Sequence, residues 1–268
     1  MKVAFLFPGQ GSQYVGMGKE LAEKYREAKA AFDEADKTLG FKISELCFCG
    51  PETELTRTAN TQPAVLTTSI AAYRVLEARG VVPHVVAGHS LGEYSALVAA
   101  GALSLGDAVK LVRMRGDYMQ EAVPVGEGAM AAIIGLDRGV VEELCRDGAA
   151  AGGVAEPANF NAPGQTVISG TASAVEQVAA GALAVGAAKA VMLPVSAPFH
   201  CRLMRPAAER LAPQLVATSF SNLLCPVCTN VDAEFVSSGE EAKRSLVRQV
   251  TAPVRWEECM RRILALGV

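Results

Sequence analysis

The sequence of 268 residues is poor in histidine, in tryptophan and in positive charge. It has 3 His and 1 Trp, and its 25 Lys and Arg are outnumbered by 28 Asp and Glu, which gives a formal net charge of −3. Binding of nucleic acid through bulk positive charge requires an excess of cationic residues. The composition therefore excludes that class of function, and no nucleic-acid partner is expected.

Long apolar runs are also missing. The longest uncharged, alanine-rich stretch covers residues 178–188, which is far below the roughly 18 residues that a membrane span requires. Residues 1–8 carry one positive charge and too short an apolar run for a signal peptide. Half of the residues are hydrophobic (50%), which argues against disorder. Because neither a membrane span nor a signal peptide is predicted, we expect a folded protein of the cytoplasm that has no membrane contact.

Cysteines are present in an odd number, seven, which does not indicate a disulfide framework in a chain of this size. Cys225 and Cys228 have the spacing of a zinc knuckle, and Cys47 and Cys49 form a second close pair. Structural zinc usually takes two such pairs that lie about 12 to 20 residues apart, and these pairs are much further apart. We therefore predict buried, inert thiols, with no metal and no cofactor.

In the first half of the sequence, short apolar runs alternate with helical patterns. Strands are predicted at 3–7 and 81–87, and helices at 18–39, 62–79, 92–101 and 105–123. A further apolar run predicts a strand at 223–227. Strands and helices that alternate at these lengths are typical of a parallel sheet covered on both faces.

The pattern changes at residues 124–126. Beyond them, strands are predicted at 129–134, 154–161, 165–169 and 188–193, and helices at 138–151 and 172–186. This β-α-β-β-α-β order is typical of a ferredoxin-like unit. We therefore predict an α/β protein in which a large subdomain, 1–126 and 196–268, is interrupted by a ferredoxin-like small subdomain, 127–195.

Gly88-His89-Ser90-Leu91-Gly92 matches G-x-S-x-G, the pattern of a nucleophile elbow. The tight turn needs small residues on both sides of the serine, because the backbone there is strained and the Oγ atom is held out above the sheet. A predicted strand precedes the motif and a helix-forming run follows it, which is the expected context. The alternative is a surface serine on an ordinary strand-to-helix turn.

A nucleophilic serine needs a base, and the sequence offers three histidines. His89 adjoins Ser90, and neighbours on a sharp turn point in different directions. His84 lies a strand length away from the elbow. Elimination favours His200, which lies in a proline-containing loop where the chain returns to the large subdomain, although a lone loop histidine is more often a solvated residue.

The loop Gly9-Gln10-Gly11-Ser12-Gln13 follows the first predicted strand. It fails the dinucleotide fingerprint, since Tyr14 occupies the third glycine position, and it fails the P-loop pattern, since Met17 stands where lysine is required. In elbow enzymes one oxyanion N–H follows the nucleophile and another comes from a second strand-end loop. Leu91 and Gln10 are therefore predicted to form an oxyanion hole.

Five linked motifs, together with Gln249 and the run 253–256, resemble the malonyl-CoA:acyl-carrier-protein transacylases in order and spacing over essentially the whole sequence. The motifs are Phe7-Pro8-Gly9-Gln10-Gly11-Ser12-Gln13, Gly88-His89-Ser90-Leu91-Gly92-Glu93, Met114-Arg115-Gly116, Asn159-Phe160-Asn161-Ala162-Pro163-Gly164-Gln165 and Pro198-Phe199-His200. The resemblance implies an α/β-hydrolase-like large subdomain with a ferredoxin-like insert. It also implies transfer of a malonyl group from malonyl-CoA to acyl carrier protein for fatty-acid chain elongation, by an enzyme that we expect to be a monomer.

The resemblance also implies roles for individual residues. Ser90 would be the acylated nucleophile and His200 its base, with no acidic third member and with the main-chain carbonyl of Gln249 orienting the imidazole. Arg115 would hold the malonyl carboxylate. We group Gln249 with Arg115 and Phe199 as residues of the substrate site, where Phe199 is expected to narrow the acyl chamber at the α-carbon.

The family ordinarily continues beyond the Trp-containing helix with a further strand and helix, whereas this sequence ends at Val268. If the chain is a truncated member of the family, the resemblance implies an uncovered sheet edge.

Two other functions fit part of the pattern. A serine hydrolase would share the elbow and pass the acyl group to water, but an arginine for an acyl carboxylate is unexpected in a general esterase. A carrier-protein-binding module without chemistry would have no need of Ser90 and His200.

Overall fold

The computed structural model describes residues 2–149, 152–195 and 197–268, which form two four-stranded sheets. The strands are β1 Ala4–Phe7, β2 Val85–Gly88, β3 Gly128–Ile134, β4 Ala155–Ala162, β5 Gln165–Thr171, β6 Lys189–Met192, β7 Val227–Cys228 and β8 Phe235–Val236. The α-helices are α1 Lys19–Lys24, α2 Arg26–Leu39, α3 Ile43–Cys49, α4 Glu52–Leu55, α5 Thr58–Glu77, α6 Gly92–Ala99, α7 Leu105–Glu121, α8 Arg138–Ala149, α9 Ala172–Ala184, α10 Arg205–Ala217, α11 Gly239–Gln249 and α12 Trp256–Leu264.

The first sheet has the strand order β1-β2-β7-β8, so that β1 lies at one edge. Strands β1, β2 and β7 run parallel, and only β8 is antiparallel to its neighbour. All four residues of β2 are buried, which explains its continuous apolar sequence. Phe7 pairs with Gly88 at the carboxyl ends of β1 and β2, and this register brings the loop after β1 beside the turn after β2.

The second sheet has the order β4-β5-β3-β6 and is antiparallel throughout. Its strands and helices follow the order β3-α8-β4-β5-α9-β6, which confirms the predicted ferredoxin-like unit. The subdomain boundaries stay predictions, and Ser196 lies outside the described residues. Helix α8 is described up to Ala149, so the predicted end of that helix at residue 151 also lies outside them.

Alternate residues of β3 face different cores. Ala129, Ala131 and Ile133 pack with α8 and α9 in a cluster of their own, whereas Met130 belongs to the core of the first sheet and its helices. This two-residue period is the normal geometry of a strand covered on both sides. A short parallel bridge between Asn159 and Val254 adds a backbone link between the two units, so the small sheet is attached firmly beside the first one.

The helix predicted at 18–39 is wrong as one element, because the chain is extended at Tyr25, with φ −128° and ψ 122°, between α1 and α2. The Arg79 guanidinium lies 4.6 Å from the centre of the Tyr25 ring and packs against it. The apolar spacing continues across this break, so that periodicity alone predicted a single helix.

Helix α5 begins at Thr58, before the predicted start at residue 62, and it contains Pro63 in its interior. An interior proline leaves the carbonyl four residues earlier without its helical partner. Here that carbonyl belongs to Ala59, and it accepts a hydrogen bond of 3.2 Å from Arg113 Nη1 on α7. The neighbouring helix thus replaces the bond that the proline removes.

Two predicted strands are too long. The strand predicted at 81–87 begins at Val85, after the exposed Val81 and Val82. The strand predicted at 223–227 contributes only Val227 to β7. Upstream of β7, Leu223 and Leu224 donate their backbone N–H groups to Ser237 and Ala100 rather than to a sheet neighbour. Among the described residues, no helix is both long enough and apolar enough to cross a bilayer.

Gly116 allows α7 to approach the first turn of α5 very closely. A Cβ atom at this position would lie 2.7 Å from Ala59 Cα and 2.9 Å from the Thr58 carbonyl oxygen. Both are backbone atoms, which cannot move aside cheaply. We expect Gly116→Ala to lower the free energy of unfolding by about 1–3 kcal/mol, the usual cost of overpacking, as measured by chemical denaturation.

The matched control is Gly139→Ala in α8, where no described atom beyond the glycine's chain neighbours and the nearby backbone of its own helix lies within 4 Å of the added Cβ. This variant should be as stable as the wild type or up to about 1 kcal/mol more stable, because alanine is the better helix former. Equal stabilities of the two variants would contradict the close approach of α5 and α7.

Candidate active site

Ser90 lies on a left-handed turn between β2 and α6, with φ 54°, in a region that non-glycine residues rarely occupy. The flanking glycines make this turn possible. A Cβ atom on Gly88 would lie 1.8 Å from the Gly92 carbonyl oxygen, and one on Gly92 would lie 2.4 Å from the Phe7 carbonyl oxygen. The G-x-S-x-G pattern is therefore a steric requirement of β1, β2 and α6 meeting at one point.

Ser90 Oγ is 2.7 Å from His200 Nε2. On the other side of the ring, His200 Nδ1 lies 2.9 Å from the Gln249 carbonyl oxygen and 3.2 Å from that of Ala252. Two carbonyl acceptors require the proton to be on Nδ1, which leaves Nε2 as an acceptor for the serine hydroxyl. His200 is thus oriented by main-chain oxygens rather than by a carboxylate.

Burial, together with the nearby charge of Arg115, lowers the pKa of His200 from its usual value near 6.5 to about 3. The imidazole is therefore neutral at physiological pH. A neutral imidazole that hydrogen-bonds to a hydroxyl can accept its proton, which is the arrangement of a general base.

Arg115 is almost completely buried, with a relative exposure of 2%, and its hydrogen-bond partners are neutral groups. Its Nη1 donates to Gln62 Oε1 at 2.8 Å, and its Nη2 donates at 3.1 Å both to Ser90 Oγ and to Gln249 Oε1. The Nε atom has no partner among the described residues. A buried cation costs free energy unless an anion balances it, so this arrangement favours an anionic ligand beside Ser90.

A cavity of about 120 Å³ brings together six of the predicted site residues. They are Gln10, Ser90, Leu91, Arg115, Phe199 and His200. Gln249 does not line this cavity but lies directly behind it, fully buried, with its side chain on Arg115 and its carbonyl on His200. The cavity is also lined by Met130 of β3 and by Leu193, which follows β6.

The other two histidines have different surroundings. His89 Nε2 is 2.9 Å from Asn161 Oδ1, and its ring meets Trp256 edge-on at 5.4 Å between ring centres. His84, just before β2, accepts a hydrogen bond of 3.2 Å at its Nδ1 atom from the N–H of Val3, just before β1. In the part of the chain that the structure describes, no group of three or more His, Cys, Asp or Glu could hold a metal ion.

Three residues of the site had no role in the sequence-based predictions. Gln62 accepts a hydrogen bond from one end of the Arg115 guanidinium. The Asn230 side chain accepts the Ser90 N–H, and Glu93 accepts the backbone N–H of Asn230. Glu93 stands in a quoted motif, so the pattern could have drawn attention to it. Nothing in the local sequence distinguishes Gln62 or Asn230 from other polar residues.

Comparison with known proteins first defines the class of protein to which this chain belongs. A family model described as "Acyl transferase domain" matches residues 4–267, in agreement with a serine nucleophile at a strand-to-helix turn.

Named relatives then narrow the class. Malonyl CoA-acyl carrier protein transacylase from Bacillus subtilis strain 168 is 52% identical, covering 100% of this chain and 84% of that protein. The protein of the same name from Escherichia coli K12 is 50% identical, covering 99% of this chain and 86% of that protein. The crystal structure of an acyl carrier protein S-malonyltransferase from Vibrio cholerae matches with a TM-score of 0.97 and 48% identity, covering 100% of this chain and 88% of that one. This chain belongs to the malonyl CoA-acyl carrier protein transacylase family, which confirms both the predicted resemblance and the predicted fold class.

Burial of His200 has a measurable consequence for stability. The unfolded imidazole takes up a proton near pH 6.5, whereas the folded one does so only near pH 3. The unfolded state therefore binds more protons between these values, so the free energy of unfolding falls as the pH falls through this window. We expect wild type to lose stability faster than His200→Gln below pH 6.5, by at most about 1.4 kcal/mol per pH unit.

Denaturant unfolding at several pH values between 6.5 and 4 measures this difference. Burial raises the pKa of Glu93 to about 7, which gives a slope of opposite sign between about pH 4.5 and 7. This contribution is present in both proteins, so it cancels when they are compared. Parallel curves for the two proteins would contradict a neutral, buried His200.

Proposed function

We propose that this chain transfers the malonyl group of malonyl-CoA to the phosphopantetheine thiol of acyl carrier protein, through a malonyl ester on Ser90, and so supplies fatty-acid chain elongation. The observation that carries the proposal is the buried guanidinium of Arg115, whose hydrogen-bond partners are all neutral. It lies 3.1 Å from the oxygen of a serine that is paired with a histidine. The names of the relatives support the same substrates. One solved relative is titled as a malonyl-transacylase in complex with an acyl-carrier protein of a type II polyketide system.

In the first half-reaction, Ser90 Oγ attacks the thioester carbonyl carbon while His200 Nε2 takes the hydroxyl proton. The new O–C bond forms, the C–S bond breaks, and the coenzyme A thiolate leaves with the proton that His200 returns. Negative charge that develops on the carbonyl oxygen is stabilised by the backbone N–H groups of Leu91 and Gln10. Leu91 precedes the first turn of α6, where the helix dipole also favours an anion.

In the second half-reaction, the phosphopantetheine thiol takes the place of the first leaving group. His200 removes the thiol proton, the sulfur attacks the ester carbon, and Ser90 Oγ leaves with the same proton. Because one base serves both directions, the enzyme needs neither a metal nor a cofactor for this chemistry. The order of substrates gives ping-pong kinetics.

Arg115 and Phe199 select the acyl group. A carboxylate two carbons from the ester carbonyl can reach the guanidinium, whose planar fork binds it bidentately and stays charged when water is excluded. An acetyl group would leave this buried cation unbalanced. Phe199, next to the base, narrows the chamber and disfavours a branch at the α-carbon.

The rival functions fit less well. A general esterase has no use for a buried arginine beside its nucleophile, and a binding module has no use for the hydrogen bond between Ser90 and His200. We also propose a monomer, because one chain supplies the nucleophile, the base and the guanidinium of the cavity. A cytoplasmic location is supported by seven free cysteines, which fit a reducing compartment.

Intact-protein mass spectrometry after mixing with malonyl-CoA tests the proposal directly. Wild type should gain the mass of one malonyl group and lose it when acyl carrier protein is added. Ser90→Ala should gain no mass, and His200→Ala should be acylated more slowly by orders of magnitude, because the hydroxyl loses its base. A malonyl adduct on Ser90→Ala would contradict the assignment, and loss of the adduct to water in the absence of carrier protein would favour the hydrolase.

Arg115→Ala tests the selection of malonyl over acetyl. Loss of a buried, charge-assisted bidentate contact costs about 2–5 kcal/mol, which corresponds to roughly 30-fold to several-thousand-fold in rate. We expect malonyl transfer to fall by at least the lower factor while acetyl transfer stays level or rises. Arg115→Lys should recover only part of the loss, because an ammonium group cannot make the planar contact.

The control for this experiment is Lys110→Ala, which removes a positive charge from the solvent-exposed side of the same helix. It should leave transfer of both acyl groups unchanged. Equal losses of malonyl and acetyl transfer in Arg115→Ala would instead mean that the arginine only supports the fold around Ser90.

A further inference from the structure

A second layer of buried polar groups lies beneath the site. Asn230, two residues beyond β7, is completely buried, and its side-chain amide meets the backbone of the elbow on both sides of Ser90. Its Oδ1 atom accepts the Ser90 N–H at 2.7 Å, and its Nδ2 atom donates to the Gly88 carbonyl oxygen at 2.8 Å. One side chain thus satisfies two backbone groups that the strained turn leaves without partners in a sheet or helix.

Glu93 joins this amide to the residue that orients the base. Its Oε2 atom accepts the backbone N–H of Asn230 at 2.9 Å and the Nε2 group of Gln249 at 2.9 Å. Gln249 Nε2 is also 3.0 Å from the Ser90 carbonyl oxygen, and the Gln249 main-chain carbonyl accepts from His200. The carboxylate therefore connects three segments that are far apart in sequence: the elbow, the chain after β7 and the end of α11.

We propose that Asn230 and Glu93 are positioning residues for acyl transfer: Asn230 holds Ser90 in its left-handed conformation, and Glu93 fixes the distance between the nucleophile and its base by tying both to Gln249. Neither residue lines the cavity, so neither contacts substrate. This inference deepens the proposed function, on which it rests, because it names what keeps the Ser90–His200 pair at hydrogen-bond distance.

The position of Glu93 fits a role in orientation better than a role in proton transfer. It is fully buried beneath the elbow, and its contacts run to Asn230 and Gln249 rather than to the imidazole. Its second oxygen, Oε1, has no hydrogen-bond partner among the described residues. A single oxygen therefore makes both contacts, and a glutamine that presents its carbonyl oxygen there can replace it.

The test uses a fluorophosphonate, which reacts with an activated serine by forming an Oγ–P bond as the P–F bond breaks and fluoride leaves. Its rate reports the Ser90–His200 geometry whatever the natural acyl group is. Failure of the proposed substrate therefore cannot be mistaken for failure of this inference. Malonyl-CoA acylation in a single turnover is measured in parallel, giving the rate at saturation and the half-saturating concentration separately.

For Asn230→Ala we expect phosphonylation and the saturating acylation rate to fall about 10- to 100-fold, because the Ser90 N–H and the Gly88 carbonyl lose their partner and the serine shifts. The half-saturating concentration of malonyl-CoA should stay within about twofold, since Arg115 is untouched. Glu93→Ala should likewise lower both rates and leave the half-saturating concentration nearly unchanged. Glu93→Gln should restore most of both rates. Effects of Asn230→Ala and Glu93→Ala should be less than additive when combined, because both act on the same contacts.

Ser245→Ala is the matched control. This serine is buried on α11, the helix that carries Gln249, and its hydroxyl makes no hydrogen bond in the described part of the chain. It should leave both rates unchanged. Where Asn230→Ala does not fold, Asn230→Ser supplies the comparison. Wild-type phosphonylation rates in folded Asn230→Ala or Asn230→Ser, or in folded Glu93→Ala, would overturn the proposal, as would a loss in Glu93→Ala that Glu93→Gln does not restore.

Discussion

The site depends on the contact of three backbones at the nucleophile turn. Strand β1, strand β2 and helix α6 approach so closely at Gly88 and Gly92 that any side chain there would overlap main-chain atoms. This contact forces Ser90 out of the ordinary backbone regions and holds its Oγ clear of the sheet. The same contact sets the loop after β1 beside the start of α6, so the proposed nucleophile and the proposed oxyanion donors come from one steric arrangement.

Burial changes the pKa values of two titratable groups, His200 and Glu93, on two sides of Ser90. On the cavity side, the loss of water and the Arg115 cation keep His200 neutral, which is the state that the proposed base needs before each half-reaction. On the far side, burial raises the pKa of Glu93 to about 7, and its amide partners keep one oxygen fixed. The guanidinium lacks a carboxylate partner in hydrogen-bond contact, which is why we propose that an anionic substrate is bound through it.

The sequence brings attention to residues that the fold places around one cavity. Ser90 and Leu91 follow from the spacing of the elbow motif, Gln10 from the loop after the first strand, and His200 from elimination among three histidines. Arg115 depends on the family resemblance, since an arginine on a helix is normally solvated. Asn230 and Glu93 meet across 137 positions, and no local pattern encodes such a pair. The break at Tyr25 was missed because apolar periodicity continues through an extended residue.

The two faces of the small sheet, β4-β5-β3-β6, contact different parts of the protein. One face, with Ala131 and Ile133, is packed under α8 and α9, while the other contributes Met130 to the cavity wall. The reacting atoms all belong to the remainder of the chain. Changes in side-chain size on that one face can therefore reshape the space for the acyl group while the nucleophile, the base and their supports keep their positions. The small sheet thus bears on the shape of the cavity, whereas Arg115, through which we propose that the acyl group is selected, lies on α7 in the other part of the chain.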